Sequence, residues 1–183
     1  MGNSKVAVIV AGSWGTALSA VLADNGCDVR LWTRDPSHAE QINATRENAR
    51  YLPGIRLPEG LTATPSLEEA LRGAEAAVLV APSAAMREVA RKVAPYVHKE
   101  MLLVHATKGF EADSLKTMSE VIAEEIPCMS GKVVVLSGPS HAEEVIRRLP
   151  TTVVVASQTK DCSLRAQQLF SNSYFRVYTN PDV

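Results

Sequence analysis

The sequence predicts an α/β fold, a doubly wound, mostly parallel sheet with helices on both faces. Two observations predict it. Short apolar runs rich in β-branched residues alternate with longer stretches of helical period, and these runs lack the polar alternation of strands that face water. With 183 residues, 46% of them hydrophobic, the chain is long enough for one compact core and too short for a second full-sized domain. We therefore expect residues 1–183 to form one domain.

The apolar runs and the stretches between them give the order of elements. Strands are expected at residues 5–10, 28–32, 62–64, 76–81, 101–105, 133–136, 151–155 and 175–178. Helices are expected at residues 14–25, 66–71 and 83–94. The segment 50–60 is rich in Pro and Gly and has no period, so we expect an ordered surface loop there.

The helix ends carry local signals. The apolar residues that share one face of the first helix are Leu18, Val21 and Leu22. This helix stops at Gly26, a usual residue just beyond a helix C-terminus. Ser66 followed by Glu69 has the spacing of a capping box, while Ser83 opens the third helix and Pro95 ends it.

Charge and cysteine usage exclude several classes of protein. Nineteen basic and twenty acidic residues give a net charge of -1 without long runs of either sign, so we expect no nucleic-acid or membrane surface. The three cysteines are widely spaced and form no CxxC pair, which argues against a disulfide framework or a zinc site. No metal is expected. The apolar run 6–10 is too short for a signal peptide or a membrane span, so we expect a cytoplasmic protein.

The strongest local motif is the segment 8–15, in which a strand leads through a glycine-containing turn into a helix. Free N–H groups at a helix N-terminus favour an anion, and Gly12 and Gly15 occupy the second and third positions of a dinucleotide fingerprint. Val10 stands where the first glycine would be, and its β-branched side chain is expected to crowd the turn. The motif therefore predicts a pyrophosphate site, with a plain strand-to-helix turn as the alternative.

The end of the second strand lies where such folds bind the adenosine ribose. Arg34 offers a planar fork of donors that suits a phosphate, which favours NADP. Asp35 could instead accept from a ribose hydroxyl. A third interpretation is a solvated pair between these two residues.

Three other strand ends carry small or polar residues at the edge where an open parallel sheet binds ligands. Pro82 follows the fourth strand, and Lys108 follows the fifth, where its ammonium could bind a phosphate or polarise a carbonyl. The alternative for Lys108 is an ordinary surface lysine. Gly138 and Ser140 follow the sixth strand and open a helix with Ala142, either as an anion site or with Ser140 as a simple N-cap. His141 is not assigned a catalytic role.

Five blocks together resemble the bacterial NAD(P)-dependent glycerol-3-phosphate dehydrogenases. They cover residues 12–18, 31–34, 107–111, 137–144 and 180–183, and their order and spacing agree with that family over the whole chain. The resemblance implies a Rossmann-like N-terminal domain of an enzyme that reduces dihydroxyacetone phosphate to sn-glycerol 3-phosphate with NADPH or NADH, for glycerophospholipid synthesis. NADPH is favoured by Arg34. The family's homodimer is a further implied partner.

The resemblance also assigns roles to residues. Cofactor contacts are implied for Gly12, Ser13, Trp14, Gly15, Arg34, Tyr51, Pro82, Lys108 and Ala142. Substrate contacts are implied for Lys108, Gly138 and Ser140. Members of the family continue beyond the block 180–183 into a helical domain that holds the proton-donating lysine. That C-terminal helical domain is absent from this sequence, so we expect the catalytic lysine to lie beyond Val183 and this chain alone to have little or no activity.

Two other functions stay open on the sequence. One is the cofactor domain of another NAD(P)-dependent carbonyl reductase, against which only the blocks around Lys108 and Gly138 argue. The other is a non-catalytic module that senses nucleotides by binding alone.

Overall fold

Eight strands form one sheet within residues 4–183, which the computed structural model describes. They are β1 (Lys5–Ile9), β2 (Asp28–Trp32), β3 (Leu61–Thr64), β4 (Ala76–Leu79), β5 (Leu102–His105), β6 (Val134–Ser137), β7 (Thr151–Ala156) and β8 (Phe175–Asn180). Their order is β3-β2-β1-β4-β5-β6-β7-β8, and every neighbouring pair is parallel except β6 with β7. The predicted α/β class and mostly parallel sheet are confirmed. The order reverses direction between β1 and β4, the place where such sheets open a ligand crevice.

Seven α-helices connect these strands in the described part of the chain. They are α1 (Ser13–Asp24), α2 (Pro36–Thr45), α3 (Leu67–Leu71), α4 (Ser83–Val93), α5 (Met118–Glu125), α6 (Ala142–Val145) and α7 (Lys160–Phe170). Short 3-10 turns follow α4 at Ala94–Tyr96 and α5 at Pro127–Met129. The three predicted helices correspond to α1, α3 and α4. Helices α2, α5 and α7 were not predicted.

Helix capping differs from the sequence pattern at α3. The Ser66 hydroxyl accepts from the Glu69 amide at 3.1 Å, but the Glu69 carboxylate accepts from Thr64 instead of returning to Ser66. Only half of the predicted capping box therefore forms. A full box begins α5, where Thr117 and Glu120 cap each other.

Alternating side chains of each strand enter two apolar layers. Val6 and Val8 of β1 face α1, α2, α6 and α7, whereas Ala7 and Ile9 face α3, α4 and α5. Leu18 and its predicted partners on α1 are fully buried against the first layer. Helices thus cover both faces around β1, β4 and β5, and this packing fixes the loops at the carboxyl ends of these strands.

At the β7–β8 end of the sheet, one face is open to solvent. The outward-facing side chains there are Thr152, Val154, Arg176 and Tyr178. The opposite face packs on α7 through Val153, Phe175 and other apolar residues. No helix within residues 4–183 is long and apolar enough to cross a membrane.

Candidate functional site

The turn between β1 and α1 brings backbone close to backbone. Gly12 is the N-cap of α1 in an extended conformation, and a Cβ built on it would meet no atom within 4 Å. A Cβ on Gly15 would lie 2.1 Å from the Val10 carbonyl oxygen, so only glycine lets the helix approach the strand here. The turn therefore has open space at position 12 and none at position 15.

Val10 takes a backbone conformation that suits the missing glycine. Its φ is +88°, in a region that β-branched residues rarely adopt. The side chain lines a cleft in front of the turn. Val10 therefore combines a strained backbone with a side chain that lines the cleft, and the crowding of the turn stays a prediction.

A buried chain of hydrogen bonds supports the turn from beneath. His38 Nδ1 lies 3.1 Å from the Thr33 hydroxyl, and His38 Nε2 lies 2.9 Å from the Asn48 side-chain oxygen. The Asn48 amide nitrogen donates to the Ala11 carbonyl at 3.1 Å and to the Thr16 hydroxyl at 2.7 Å. Because the Asn48 nitrogen serves these acceptors, its oxygen must accept from His38 Nε2, which fixes the tautomer of the ring.

Sequence reasoning missed Asn48, which is fully buried although it lies in a loop. Its contact with Ala11 joins residues 37 positions apart, so no local pattern marks it. Through Thr16, whose hydroxyl donates to the Gly12 carbonyl at 2.8 Å, the chain of bonds reaches the N-cap itself. The glycine turn is therefore held from below by buried groups that are all hydrogen-bonded.

A cleft of about 470 Å³ opens between the tip of β2 and helix α4. Its walls are Val10, Ala11, Gly12, Trp32, Thr33, Arg34, Asp35, His38, Arg50, Tyr51, Leu67, Ala81, Pro82, Ala85, Glu88, Val89 and Lys92. Four predicted site residues, Gly12, Arg34, Tyr51 and Pro82, line it. Ser13, Trp14, Gly15 and the residues of the β5 and β6 loops do not. The cleft lies at the switch point of the sheet, where open parallel sheets bind their ligands.

Asp35 is already engaged by the protein. Its Oδ1 accepts from the Ser37 amide at 3.1 Å and from the Ser37 hydroxyl at 2.9 Å, which caps α2. Its Oδ2 lies 3.8 Å from an Arg50 nitrogen. The Ser37 hydroxyl, more than any other contact, lowers the pKa of Asp35. The ion pair of Asp35 is thus with Arg50 and not with Arg34, which corrects the third interpretation above.

The β5 and β6 loops bring the predicted substrate residues together. Lys108 Nζ donates to the Gly138 carbonyl at 2.9 Å, and the Ser140 hydroxyl donates to the same oxygen at 3.3 Å. A Cβ on Gly138 would lie 3.0 Å from the Thr152 carbonyl of β7, so the loop passes close to that strand. The N-cap of α6 is His141, so the alternative of Ser140 as N-cap is wrong. The Ser140 hydroxyl turns back to Gly138 instead.

Ala142 lies in the first turn of α6 and is 7% exposed. It packs in the same apolar layer as Val145. Ala142 therefore offers little surface to a ligand, and it does not line the β2–α4 cleft.

A partly exposed ion cluster holds the loop after Lys108. Arg87 of α4 binds both carboxylate oxygens of Glu111 at 2.7 and 2.8 Å and also reaches Glu124 and Glu125 of α5 at 2.8 Å. The Arg87 guanidinium lowers the pKa of Glu111 to about 2. This cluster joins the Lys108 loop to both helices on that face.

His105, the last residue of β5, is 3% exposed and lies directly before this loop. Within residues 4–183, neither of its ring nitrogens has a hydrogen-bond partner. Burial lowers the pKa of His105 to about 4, and the nearby backbone of Thr107 opposes this only in part. The ring is therefore neutral at pH 7.

A second cleft, of about 500 Å³, lies at the opposite edge of the sheet, where Ser4, Cys27 and Glu75 surround the amino ends of the strands. Ligands of open parallel sheets bind at the carboxyl ends, so we place the site at the β2–α4 cleft. No group of three or more His, Cys, Asp or Glu side chains is arranged for a metal ion among residues 4–183.

Comparisons with known proteins agree on one family. A family model described as "NAD-dependent glycerol-3-phosphate dehydrogenase N-terminus" matches residues 5–163. A Bacillus cereus protein named glycerol-3-phosphate dehydrogenase, NAD(P)+, is 51% identical over 181 residues, which are 98% of this chain and 53% of the relative. A Shouchella clausii protein of the same name has the same identity and coverage. The chain thus spans about half the length of the curated relatives it matches.

Solved structures give the same result. A crystal structure of glycerol-3-phosphate dehydrogenase from Coxiella burnetii aligns with a TM-score of 0.90 at 38% identity, covering 99% of this chain and 55% of that one. A Dunaliella salina structure aligns with a TM-score of 0.88 at 26% identity, covering 99% of this chain and 34% of that one. The sheet described above is therefore similar to part of each of these structures.

Proposed function

Because the chain belongs to the NAD-dependent glycerol-3-phosphate dehydrogenase family and matches its N-terminal part, we propose that it is the dinucleotide-binding half of an enzyme that interconverts dihydroxyacetone phosphate and sn-glycerol 3-phosphate. The cofactor is NADPH or NADH. The product would supply the backbone of glycerophospholipids.

The observation that supports this proposal most is the open space at Gly12. The first N–H groups of a helix have no partner within the helix, and α1 presents those of Ser13, Trp14 and Gly15 at the end of the β2–α4 cleft. A pyrophosphate placed there would meet N–H groups and the positive end of the helix dipole. The missing side chain at Gly12 leaves the room it needs.

We expect the other predicted cofactor contacts to lie on either side of this pyrophosphate position. Arg34 and Tyr51 on the wall of the cleft would contact the adenosine end, and Pro82 would contact the dinucleotide at the end of β4. Lys108, beyond the cleft at the end of β5, would meet the nicotinamide end. Ala142 would contribute to the floor there.

The proposed chemistry at the substrate end is hydride transfer to a ketone. The bound dinucleotide supplies the hydride. The Lys108 ammonium, which now donates to Gly138, would stabilise the negative charge that develops on the carbonyl oxygen. Gly138 and Ser140 would position the substrate beside it. The proton is expected from a lysine in the half of the relatives that this chain does not span.

Two further parts of the proposal concern the cell. A cytoplasmic location agrees with Cys27, Cys128 and Cys162, which are all free thiols. A homodimer of the longer protein stays a prediction, which light scattering on that protein would test.

Three glycine variants test the proposal. Titration of the wild-type chain with NADPH or NADH should quench or shift the fluorescence of Trp14 and Trp32. Gly12→Ala should fold normally, because its methyl group meets no atom within 4 Å, yet bind both dinucleotides at least about tenfold more weakly, because the methyl occupies the place of the pyrophosphate. Gly15→Ala should lose folding and binding together.

Gly73→Ala is the matched control. Its φ of +70° makes alanine unfavourable there, and it lies outside the cleft, so this variant should lose stability and keep its affinity. Wild type that binds neither dinucleotide, or Gly12→Ala that binds as wild type does, would overturn the proposal. The substrate assignment is tested separately, by oxidation of NADPH on addition of dihydroxyacetone phosphate to the longer protein.

A further inference from the structure

The rim of the β2–α4 cleft carries three cations with different partners. Lys92 of α4 is paired with Glu88 at 2.5 Å, one turn away on the same helix. Arg50 lies 3.8 Å from Asp35, too far for a hydrogen bond. Arg34 forms no ion pair with any residue from 4 to 183. The cleft therefore offers one unpaired guanidinium and one that is only loosely paired.

Arg50 is directed toward the cleft by its neighbour. Its guanidinium carbon lies 5.5 Å from the centre of the Tyr51 ring, a cation–π distance. The Tyr51 ring in turn lies 5.7 Å from the ring of His38, which is buried and hydrogen-bonded on both sides. Arg50, at the surface, is thus connected through Tyr51 to the buried ring of His38.

Asp35, by contrast, is poorly placed to accept from a ribose hydroxyl. Its Oδ1 accepts twice from Ser37, and its Oδ2 faces Arg50. Oδ2 makes no hydrogen bond to the described residues 4–183, so it is the one oxygen left for the role that an acidic residue at this strand tip plays in NAD-specific folds, and Arg50 competes for it.

We propose that Arg50, together with Arg34, binds the 2′-phosphate of the dinucleotide and sets its preference for NADPH over NADH, with Asp35 as the resting partner of Arg50. This inference rests on the proposed function. A phosphate carries more charge than a carboxylate and accepts two parallel hydrogen bonds from one guanidinium. Asp35 is shared with Ser37 and lies 3.8 Å away, so a 2′-phosphate would displace it. NADH has no such group and leaves the Arg50–Asp35 pair in place.

The test compares dissociation constants for NADPH and NADH on the 183-residue chain. Arg50→Gln should weaken NADPH binding about tenfold and leave NADH within about twofold of wild type. Asp35→Asn should tighten NADPH binding, because it removes the competing charge, and should keep α2 intact, because asparagine caps a helix as well as aspartate does. Arg34→Gln serves as the positive reference, since it should also lower the NADPH affinity.

Arg176→Gln is the matched control. This exposed arginine lies on β8, at the far end of the sheet from β2, so both affinities should stay unchanged. The inference fails and the proposed function stands if Arg34→Gln lowers the affinity for NADPH while Arg50→Gln does not. The same holds if Arg50→Gln lowers the affinities for NADPH and NADH equally. A decrease in NADPH affinity in Asp35→Asn also contradicts the inference. If wild type binds neither dinucleotide, the proposed function fails and the inference fails with it.

Discussion

His38 and His105 are both buried beneath loops of the candidate site, with 7% and 3% of their surface exposed. His38, beneath the glycine turn, has both ring nitrogens hydrogen-bonded, to Thr33 and to Asn48. His105, beneath the Lys108 loop, has neither bonded within residues 4–183. One histidine is thus part of a fully hydrogen-bonded network at one end of the site. The other, at the opposite end, lies in an apolar layer without hydrogen bonds to the described residues.

The difference shows how each half of the site is held. The glycine turn is fixed from below by buried hydrogen bonds, so its geometry is tied to the core. The Lys108 loop is fixed at its rim by the partly buried Arg87–Glu111 ion pair, whose strength still depends on salt, although less than that of a fully exposed pair. We expect the cofactor end to be the more rigid of the two, and variants at Asn48, His105 and Val10, with their controls, test how the site is held.

The largest effect is expected where the satisfied network is broken. Asn48→Ala leaves the Ala11 carbonyl and the His38 Nε2 hydrogen without partners, which should lower the free energy of unfolding by about 3 kcal/mol. The glycine turn should relax and NADPH should bind at least about tenfold more weakly. Urea denaturation and a fluorescence titration measure the two effects.

Asn43→Ala is the control for this variant. Asn43 also makes two bonds of 2.8 Å, both to the Ala63 backbone, but it is exposed, so water can replace its side chain. Its loss should cost about 1 kcal/mol and leave the affinity unchanged. Equal losses of stability in the two variants would contradict the special role of the buried network.

The next effect is a dependence of stability on pH that belongs to His105. Its pKa falls from 6.5 to about 4 on folding, so between these values the unfolded chain binds a proton that the folded chain does not. Stability is therefore unaffected above pH 6.5, decreases as the pH falls to 4, and then levels, a total loss of about 3 kcal/mol from this group. The pKa of Glu111 is lowered from 4.5 to about 2, so its contribution is lost at lower pH.

His105→Leu should remove this slope and raise stability at pH 7, because two unsatisfied nitrogens leave an apolar layer. His98→Leu, at an exposed histidine, should keep the slope of wild type. Urea midpoints measured from pH 7 to pH 4 decide the matter. A slope that persists in His105→Leu would assign the acid sensitivity to other groups.

The smallest change in stability is expected at Val10. Glycine at this position relieves a strained φ of +88°, worth about 1–3 kcal/mol, but adds flexibility to the unfolded chain and loses packing, so the free energy of unfolding should change by less than about 1 kcal/mol. NADPH affinity should rise about tenfold if the methyl groups crowd the pyrophosphate. Val10→Ala keeps the strain and removes the methyl groups. If crowding is the cause, both variants bind more tightly; unchanged affinity in both would show that Val10 does not impede the cofactor.

The sequence predicted those parts of the site whose signals are local. Gly12 and Gly15 lie in one turn, and the rule that parallel strands end at one edge brought Lys108 and Gly138 together across 30 residues. Helices α1, α3 and α4 carry capping or terminating residues, although α2 and α5, which were missed, are also capped, by Asp35 and by Thr117 with Glu120. Helix α2 was missed because its apolar face is narrow, with only His38, Ala39 and Ile42 buried.

The residues that the sequence did not reveal make contacts with residues far from them in the sequence. Asn48 is a polar residue in a loop, and nothing near it in the sequence shows that it is buried beneath Ala11. Arg50 comes close to Asp35 only because the chain turns back after α2, which lies between the two residues. Both contacts depend on how the loop 46–57 folds back over the glycine turn, a tertiary feature that no periodicity encodes.

The contrast between Gly12 and Gly15 also bears on how such a sequence would drift over generations. Position 15 is closed by the Val10 carbonyl, so purifying selection for a folded chain is enough to retain its glycine. Position 12 is open, so only selection for a bound ligand retains glycine there. A lineage that stopped binding dinucleotide would accept other residues at position 12 while position 15 remained glycine. The order in which the two glycines are replaced would therefore show whether the ligand was lost before the fold.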